Sequence, residues 1–292
     1  MGLELASLLY SRHARVFIAA RSEKKALTAI STIKSHSPHS TGTLVFLSLD
    51  LANLSTTKTS ANEFLSKSDR LDVLFNNAGV MNPDPKAVTA QGYDLQLGVN
   101  NIGTFLFTKL LTPILTRTAA VNRSAPGSVR VVWVGSSAAE GMSPRDGVPL
   151  AALADQKSYL KQGNMKRYAI SKAGNYLHSG EFARRYADTG VVSVALNPGN
   201  LDSELWRTQG SLMAWFLRTF ILFHPVNGAY TELFAGLSPE VKRNGDWVVP
   251  FGRRMPITRD DLVAATKTRE DGGSGVGEAF WEWTEEQVKP YL

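Results

Sequence analysis

The amino-acid sequence predicts an α/β protein with a doubly wound parallel β-sheet. Short apolar runs rich in Val, Leu and Phe, such as residues 44–49 and 191–196, alternate with longer amphipathic segments. Runs of this kind are typical of parallel strands, because helices cover both faces of the sheet and bury every side chain. The chain has 292 residues and no internal repeat, and this pattern favours one domain over residues 1–292.

The amino-terminal half is predicted to alternate helices with strands. Apolar residues at helical spacing and the favoured N-cap residue Ser22 mark the helices. In chain order we expect a helix over 2–12, a strand over 15–20, a helix from Ser22 toward 35, a strand ending at Asp50, a helix over 55–68, a strand over 71–75 and a long helix over 91–118.

The carboxy-terminal half continues the alternation with longer irregular segments. We expect a strand over 129–134, an irregular insertion over 141–163, a helix over 165–187, a strand over 191–196, helices over 205–223 and 227–237, and a short last strand over 247–249. Residues from about 255 to 292 are predicted to form a carboxy-terminal extension, with a glycine-rich turn before an aromatic helix.

The composition excludes several classes of function. The absence of cysteine excludes disulfides, thiol catalysis and cysteine-bound metals, and it fits a reducing compartment. The net charge of +6 is dispersed, which gives little support to nucleic-acid binding, and the five histidines show no metal-ligand spacing. No apolar stretch reaches the roughly 20 residues of a membrane span, and Met1–Tyr10 lacks the basic start of a signal peptide. We therefore expect a cytoplasmic protein.

The run from Tyr168 to Lys172 is the candidate catalytic feature. Residues four apart on a helix lie on one face. A free phenol loses its proton only near pH ~10, and an ammonium held nearby lowers that pKa. The pair is therefore a candidate proton donor and acceptor at a carbonyl or an alcohol, although similar pairs also occur on ordinary solvated helices.

Ser136 and Arg21 each follow a predicted strand, at the edge where open α/β sheets place their chemistry. Ser136 would hydrogen-bond the substrate oxygen and stabilise its developing charge, with Ser137 as the rival for that role. Arg21 lies where NAD enzymes carry a carboxylate for the ribose 2′-hydroxyl. A guanidinium there can pair with a 2′-phosphate, which favours NADP; the alternative is a solvated arginine at a helix start.

Five further signatures accompany Tyr168 and Lys172 along the chain. They are Asp50-Leu51, Asn76-Asn77-Ala78-Gly79, Asn100 in Asn-Asn-Ile-Gly-Thr-Phe, Ser136-Ser137 and Asn197-Pro198-Gly199. In this order they resemble the short-chain dehydrogenase/reductase family over nearly the whole chain. Residues 228–253 and the tryptophan-rich end resemble its retinol-dehydrogenase-like branch, which includes reductases of fungal secondary metabolism. The resemblance implies a Rossmann-like fold and an oxidoreductase that interconverts a ketone or aldehyde with an alcohol.

The resemblance also implies roles for individual residues. Lys172 would hold the nicotinamide ribose, Asn100 would support a proton relay to Lys172 through water, and Asp50 would contact the adenine. Further cofactor contacts would come from Gly2, Asn77, Ala78, Tyr168, Leu201 and Ser203. The alternatives are a helix-kink or helix-cap role for Asn100 and a turn-forming role for Asp50. Because family members often pair through the helices that carry Asn100 and Tyr168, a homodimer is a further expectation.

The start of the chain departs from the family pattern. It resembles the family only from the last glycine of the Thr-Gly-x-x-x-Gly-x-Gly motif onward, which would be Gly2. The strand before that motif is central in such a sheet, and the backbone N–H groups of the motif bind the cofactor pyrophosphate. We therefore expect an amino-terminally truncated domain with two open strand edges and weak cofactor binding. It would be either an incomplete form of an active enzyme or a genuinely shortened protein.

Residues from about 200 to 225 are bulky and apolar, interrupted by Arg218. The family forms its substrate lid after Pro-Gly, so the resemblance implies a hydrophobic small-molecule substrate, such as a secondary-metabolite intermediate. Core packing and shallow contact with a membrane surface are the alternatives.

The main hypothesis is therefore an NADP-dependent oxidoreductase. Its alternative is a non-catalytic or defective truncated family member with a binding or regulatory role. The intact Ser136, Tyr168 and Lys172 favour the enzyme, whereas the missing first strand favours the alternative.

Overall fold

The computed structural model describes residues 1–122, 125–202, 222–241 and 243–292. Ser203, residues 205–221 of the predicted helix over 205–223 and most of the expected lid lie outside the described residues.

The described strands form two sheets. They are β1 (Arg15–Ala20), β2 (Thr43–Ser48), β3 (Val73–Asn76), β4 (Val129–Val134), β5 (Val191–Leu196), β6 (Asp246–Val249) and β7 (Arg253–Arg254). β1 pairs with β2 in parallel, and β3 to β6 form a second parallel sheet that ends in the antiparallel β7. The predicted strands are confirmed to within two residues, but the strand at 247–249 is not the last, since β7 follows it.

The helices lie between these strands and after them. They are α1 (Gly2–Ser11), α2 (Glu23–His36), α3 (Leu54–Lys67), α4 (Leu95–Leu97), α5 (Thr104–Val121), α6 (Ser137–Met142), α7 (Leu150–Leu153), α8 (Gln156–Leu160), α9 (Asn164–Arg185), α10 (Pro225–Leu237), α11 (Asp260–Ala265) and α12 (Val276–Val288). Two predictions need correction. The long helix expected over 91–118 is divided by a π-helical turn at Gly98–Gly103, and the insertion over 141–163 contains α7 and α8.

Helices cover both faces of the larger sheet, which confirms the doubly wound α/β class. Side chains alternate along β4 because successive residues of a strand point to opposite faces. Val131 and Trp133 lie in the core that includes residues of α5 and α9, whereas Val132 and Val134 lie in the core that includes Ala235 of α10. Helices therefore pack against β4 on both faces of the sheet, α5 and α9 on one face and α10 on the other.

The edges of β1 and β3 are open within the described residues. Each of these strands has a single hydrogen-bonded neighbour there, in agreement with the two open edges that the sequence predicted. All six residues of β4, which has a neighbour on each side, are buried, whereas five of the six in β1 are partly exposed and the sixth is exposed.

The carboxy-terminal residues pack against the same core as α5 and α9. Phe280 of α12 stacks on His178 of α9 with 4.6 Å between ring centroids, and Glu285 forms an ion pair with Lys109 of α5. The resemblance implied that α5 and α9 form a homodimer interface. These contacts with α12 use side chains of both helices. Among the helices of the described residues, none combines the length and hydrophobicity that crossing a membrane requires.

Candidate active site

Helix α9 brings Tyr168 and Lys172 to the carboxyl end of β4. Both side chains are almost fully buried, with exposed fractions of 6% and 5%. The Nζ atom of Lys172 donates a hydrogen bond of 2.8 Å to the carbonyl oxygen of Val134, the last residue of β4. The same atom lies 5.8 Å from the centroid of the Tyr168 ring. The predicted pair therefore lies together at a strand end, where open α/β sheets hold their chemistry.

Ser136 lies close enough to Tyr168 to influence its phenol. Burial raises the pKa of Tyr168, and Ser136 opposes that rise. Burial is the largest influence on the phenol, and the expectation that Lys172 lowers this pKa stays a prediction. A raised pKa keeps the phenol protonated, as a proton donor to a carbonyl oxygen must be.

The two adjacent serines take different places in the turn after β4. Ser136 is the extended N-cap residue of α6, and its Oγ accepts a hydrogen bond of 3.2 Å from the backbone N–H of Ala138. Ser137 begins α6 and is exposed. The assignment of the substrate-binding role to Ser136 rather than to Ser137 stays a prediction.

The Lys172 ammonium is a buried cation. Burial lowers its pKa to about 8, and the carboxylate of Glu232 opposes that shift. An ammonium has three N–H donors, and in the part of the chain that the structure describes it donates to the Val134 carbonyl. The other N–H donors of Lys172 can therefore bind hydroxyl groups of a ligand at the carboxyl end of β4.

Asn100 lies in the π-helical turn and is buried. Its Oδ1 accepts from the Val80 N–H at 2.8 Å, and its Nδ2 donates to the Val80 carbonyl and to Ser171 Oγ, each at 2.9 Å. The side chain thus ties the loop after β3 to α9, which agrees with the structural alternative for Asn100. A water relay from Asn100 to Lys172 stays a prediction.

Arg21 and Asp50 lie at the carboxyl ends of the paired strands β1 and β2. Ala20 is in register with Ser48, so the residues that follow these two strands are neighbours. Arg21 is exposed and makes no ion pair within the described residues. Asp50 Oδ1 accepts from the Ala52 N–H at 3.0 Å, which agrees with its turn-forming role and leaves a contact with adenine as a prediction.

Close backbone packing marks the loop after β3. A Cβ atom added to Gly2 would lie 2.8 Å from Nδ2 of Asn77, so Gly2 and Asn77 are brought together. A Cβ atom on Gly79 would lie 3.1 Å from Oδ1 of Asn100 and 3.4 Å from Nζ of Lys172. Ala78 lies within this loop. A side chain at either glycine would crowd these groups.

The segment after β5 carries the remaining predicted cofactor residues. Gly199 has a φ of +91°, a backbone conformation that favours glycine. Leu201 is buried and forms a short parallel bridge with Phe223, whereas Ser203 lies outside the described residues. The close backbone packing at Gly2 and Gly79 and the remaining N–H donors of Lys172 fit a nicotinamide dinucleotide at these strand ends. No group of described side chains could hold a metal ion.

Comparison with known proteins identifies the family. Residues 1–148 match the family model described as short chain dehydrogenase. A short-chain dehydrogenase/reductase of Phomopsis amygdali is 53% identical to this chain, covering 100% of it and 87% of the relative. The chain belongs to the short-chain dehydrogenase/reductase family. A further short-chain dehydrogenase/reductase, pkfC of Emericella nidulans, is 44% identical and covers 100% of this chain and 90% of the relative. The resemblance to fungal members is confirmed.

Several solved structures share the fold. An uncharacterized protein from Mycobacterium Paratuberculosis has a TM-score of 0.69 and 26% identity, covering 99% of this chain and 89% of its own. The RhlG/NADP complex of Pseudomonas aeruginosa has a TM-score of 0.66 and 20% identity over 86% and 90% of the two chains. A Brucella melitensis 3-ketoacyl-(acyl-carrier-protein) reductase complexed with NADH has a TM-score of 0.63 and 21% identity over 86% and 93%. Relatives in fold thus hold either nicotinamide cofactor.

The sequence predictions missed several groups at this site. Ser171 accepts from Asn100, and Asn175 donates to the Val134 carbonyl at 3.0 Å. Both follow Tyr168 and Lys172 by three residues, so helical spacing could have placed them near the site. The Val134 carbonyl is a backbone group, so a pattern of side chains cannot predict its part in the site. Glu232, the carboxylate that acts on Lys172, was also missed, although its spacing from Gly228 and Ala235 places it on the buried face of α10.

Proposed function

We propose that this short-chain dehydrogenase/reductase is an NADP-dependent enzyme that interconverts a ketone or aldehyde with an alcohol on a hydrophobic small molecule. Secondary-metabolite intermediates are the substrate class we favour. The observation that carries the proposal is the meeting of Tyr168, Ser136 and Lys172 at the carboxyl end of β4. This arrangement supplies a proton donor, a hydrogen-bond donor and a buried cation at one strand end.

The proton chemistry follows from the state of the phenol. A bound nicotinamide supplies or accepts the hydride. In the reducing direction Tyr168 gives its proton to the substrate oxygen, and its raised pKa means that the proton is present at neutral pH. Ser136 donates to the same oxygen as negative charge develops on it. In the oxidising direction Tyr168 must first lose its proton, so alkaline conditions favour that direction.

Lys172 acts on this chemistry from the strand end. Its hydrogen bond to the Val134 carbonyl fixes the ammonium beyond the phenol ring, and its remaining donors suit the ribose hydroxyls of a dinucleotide. We assign it the role of holding the cofactor while its charge favours negative charge on nearby oxygens.

The preference for NADP rests on Arg21. Its guanidinium follows β1, is exposed and has no competing carboxylate partner within the described residues. A planar guanidinium can bind a phosphate through two parallel hydrogen bonds, which a ribose hydroxyl cannot match. Because structures related in fold hold NADP in one case and NADH in another, Arg21 is the feature that favours NADP here.

The hydrophobic character of the substrate rests on aromatic side chains near Leu201. Phe223, which bridges to Leu201, and Phe251 are both exposed, and their rings meet edge to face with 5.0 Å between centroids. Exposed apolar clusters of this kind often line ligand sites. They support an apolar substrate next to the predicted cofactor contacts.

Two further expectations stay predictions. A cytoplasmic location rests on the sequence alone. A homodimer would have to use surfaces of α5 and α9 that α12 leaves free.

A non-catalytic family member is the second candidate. The observation that favours it is the open edge of β1 and of β3 among the described strands. A protein of this kind would keep the fold of the site without turning over a substrate.

The test is NADPH oxidation with a panel of hydrophobic ketones and aldehydes, together with an NADPH binding titration. We expect saturable turnover with at least one apolar carbonyl compound and tighter binding of NADPH than of NADH. Binding of NADPH without turnover of any compound would favour the non-catalytic candidate. Equal binding of both cofactors would contradict the assignment to NADP.

A further inference from the structure

A polar cluster between β7 and α11 takes no part in the proposed chemistry. Arg259 lies at its centre, with 25% of its side chain exposed. All three nitrogens of its guanidinium donate hydrogen bonds. Nε and Nη2 bind the two carboxylate oxygens of Asp261, and Nη1 and Nη2 reach residues 140–144. Two parallel bonds to one carboxylate fix the orientation of the planar guanidinium.

Arg259 reaches the carboxyl end of α6. Nη1 donates to the carbonyl of Ser143 at 2.9 Å and to that of Glu140 at 3.4 Å, and Nη2 donates to the carbonyl of Pro144 at 2.9 Å. Ser143 is the C-cap residue of α6. The last carbonyls of a helix have no partner within the helix, and an arginine side chain can supply one. Arg259 therefore caps the carboxyl end of α6.

The neighbours of Arg259 bind the same end of α6. The backbone N–H and Oγ1 of Thr258 both donate to Oε1 of Glu140, at 2.8 and 2.9 Å. Oδ2 of Asp261 accepts from the backbone N–H of Asp146, in the loop after α6, at 2.7 Å. We call Thr258, Arg259 and Asp261 the carboxy-terminal clamp, because together they bind α6 and the loop that follows it.

The carboxy-terminal clamp is anchored in the core. Ile257 and Leu262, on either side of it, are buried in the cluster that includes residues of α9. A Cβ atom on Gly147 would lie 2.9 Å from Cδ2 of Leu262 and 3.0 Å from Cβ of Ala173, the residue after Lys172. The clamp therefore has a fixed place relative to α9, the helix that carries Tyr168.

The amino end of α6 carries Ser136. The helix has six residues, and Ser136 is its N-cap, with Oγ accepting from the N–H of Ala138. A helix of this length is marginal by itself, so its place depends on the contacts that its ends make. Contacts that hold the carboxyl end of α6 therefore also determine where its N-cap lies.

We propose that Arg259 is a positioning residue that holds Ser136 in place by capping the carboxyl end of α6, with Asp261 orienting its guanidinium. The hydrogen bond from Arg259 lowers the pKa of Asp261 to about 2, so the orienting carboxylate is charged at neutral pH. The proposal rests on the proposed function for its effect on turnover. Its structural part concerns α6 alone.

Hydrogen exchange at the Ala138 N–H tests the structural part, because this group donates to Ser136 Oγ. We expect it to exchange about tenfold faster in Arg259→Met, with exchange in β4 unchanged as the reference for global stability. Arg259→Lys should behave alike, since it keeps the charge but loses the planar fork. Asp261→Asn, which removes the orienting charge, repeats the test where Arg259→Met does not fold. Arg145→Met is the control, because the Arg145 side chain lies in the same loop and is 89% exposed.

A double-mutant cycle on kcat tests the link to Ser136. In the wild-type background, Arg259→Met should lower kcat about ten- to a hundredfold with little change in KM, because a donor displaced by about 1 Å no longer meets the substrate oxygen. In the Ser136→Ala background the same replacement should change kcat by less than about threefold. Arg145→Met should leave kcat unchanged in both backgrounds.

The outcomes separate this proposal from the proposed function. Unchanged exchange at Ala138 overturns the proposal, and so does an equal loss of kcat in the Ser136→Ala background, since Arg259 would then act elsewhere. Faster exchange at Ala138 in a protein whose wild type turns over no substrate supports the positioning of Ser136 and counts against the proposed function instead.

Discussion

The ammonium nitrogen of Lys172 lies 5.8 Å from the centroid of the Tyr168 ring and is hydrogen-bonded to the carbonyl at the end of β4. The cation lies beside the phenol, but the effect of burial is larger, so the pKa of Tyr168 is raised. Ser136 acts on this pKa in the opposite direction. We therefore expect Ser136 to influence the proton of Tyr168 and Lys172 to hold the positive charge at the strand end.

Replacing Ser136 by alanine should lower kcat by about 10²- to 10³-fold, because the donor that stabilises charge on the substrate oxygen is lost. The pKa of Tyr168 should rise further, since the influence of Ser136 that lowers it disappears. Rates measured across pH report both effects. Ser137→Ala is the matched control and should leave them unchanged; a loss of equal size in that variant would assign the role to Ser137.

Replacing Arg21 by alanine should weaken NADPH binding about ten- to a hundredfold, because a charge-assisted hydrogen bond contributes roughly 1.5 to 3 kcal/mol. NADH binding should stay nearly constant. Titration of both cofactors by calorimetry measures the difference. Arg12→Ala serves as the control, since Arg12 is also exposed but precedes the amino end of β1. Equal losses for NADPH and NADH would remove Arg21 from recognition of the 2′-phosphate.

Replacing Arg167 by methionine should destabilise the fold by about 3 to 5 kcal/mol, because Asp94 would be left buried without its cation. This pair joins the first turn of α9 to the segment before the π-helical turn, one residue from Tyr168, so turnover should fall as well. Urea unfolding measures the change. Arg70→Met breaks the exposed pair with Asp72 and should change stability by less than about 1 kcal/mol. Similar losses in both variants would contradict the account.

Replacing Asn100 by alanine should destabilise the protein by about 1 to 3 kcal/mol for each buried group left without a partner. The Val80 N–H and the Ser171 hydroxyl lose bonds that the Asn100 amide now provides. Denaturant unfolding gives the free energy, and hydrogen exchange at Val80 should become faster. Unchanged exchange at Val80 would show that the amide does not hold this loop.

Stability should fall as the pH rises from the ordinary glutamate range toward 8. The pKa of Glu232 is raised from 4.5 to about 8 in the folded state, so the folded protein favours its protonated form, and that contribution is lost as the pH rises through the folded pKa. Lys172, whose pKa is lowered from 10.5 to about 8, acts in the higher window between those values. Urea unfolding between pH 5 and 8 should therefore show a flatter dependence in Glu232→Gln. An equally steep dependence would contradict the burial of an unpaired carboxyl.

Local patterns predicted the strands and much of the site. The apolar runs at 129–134 and 191–196 became β4 and β5, and the four-residue spacing placed Tyr168 and Lys172 together. The π-helical turn was missed because the helical spacing of apolar residues continues through Gly98–Gly103. Its position is marked by the hydrogen bond between Asn100 and Val80, which are distant in the sequence.

The electrostatics could not be predicted from the sequence. The direction of the Tyr168 shift depends on how deeply the phenol is buried, and burial is a property of the packed fold. The link between Glu232 and Lys172 joins residues 60 positions apart on opposite faces of the sheet. The lid prediction over about 200 to 225 lies largely outside the described residues.

The most direct test of the account is the turnover of Tyr168→Phe with NADPH and an apolar ketone accepted by the wild type. The phenyl ring keeps the packing but cannot transfer a proton, so kcat should fall by about 10²- to 10⁴-fold with little change in substrate affinity. Tyr159→Phe is the matched control, since the Tyr159 hydroxyl is buried without a hydrogen-bond partner among the described residues. It should keep full activity. A Tyr168→Phe enzyme within a few-fold of the wild-type kcat would contradict the assignment of Tyr168 as the proton donor.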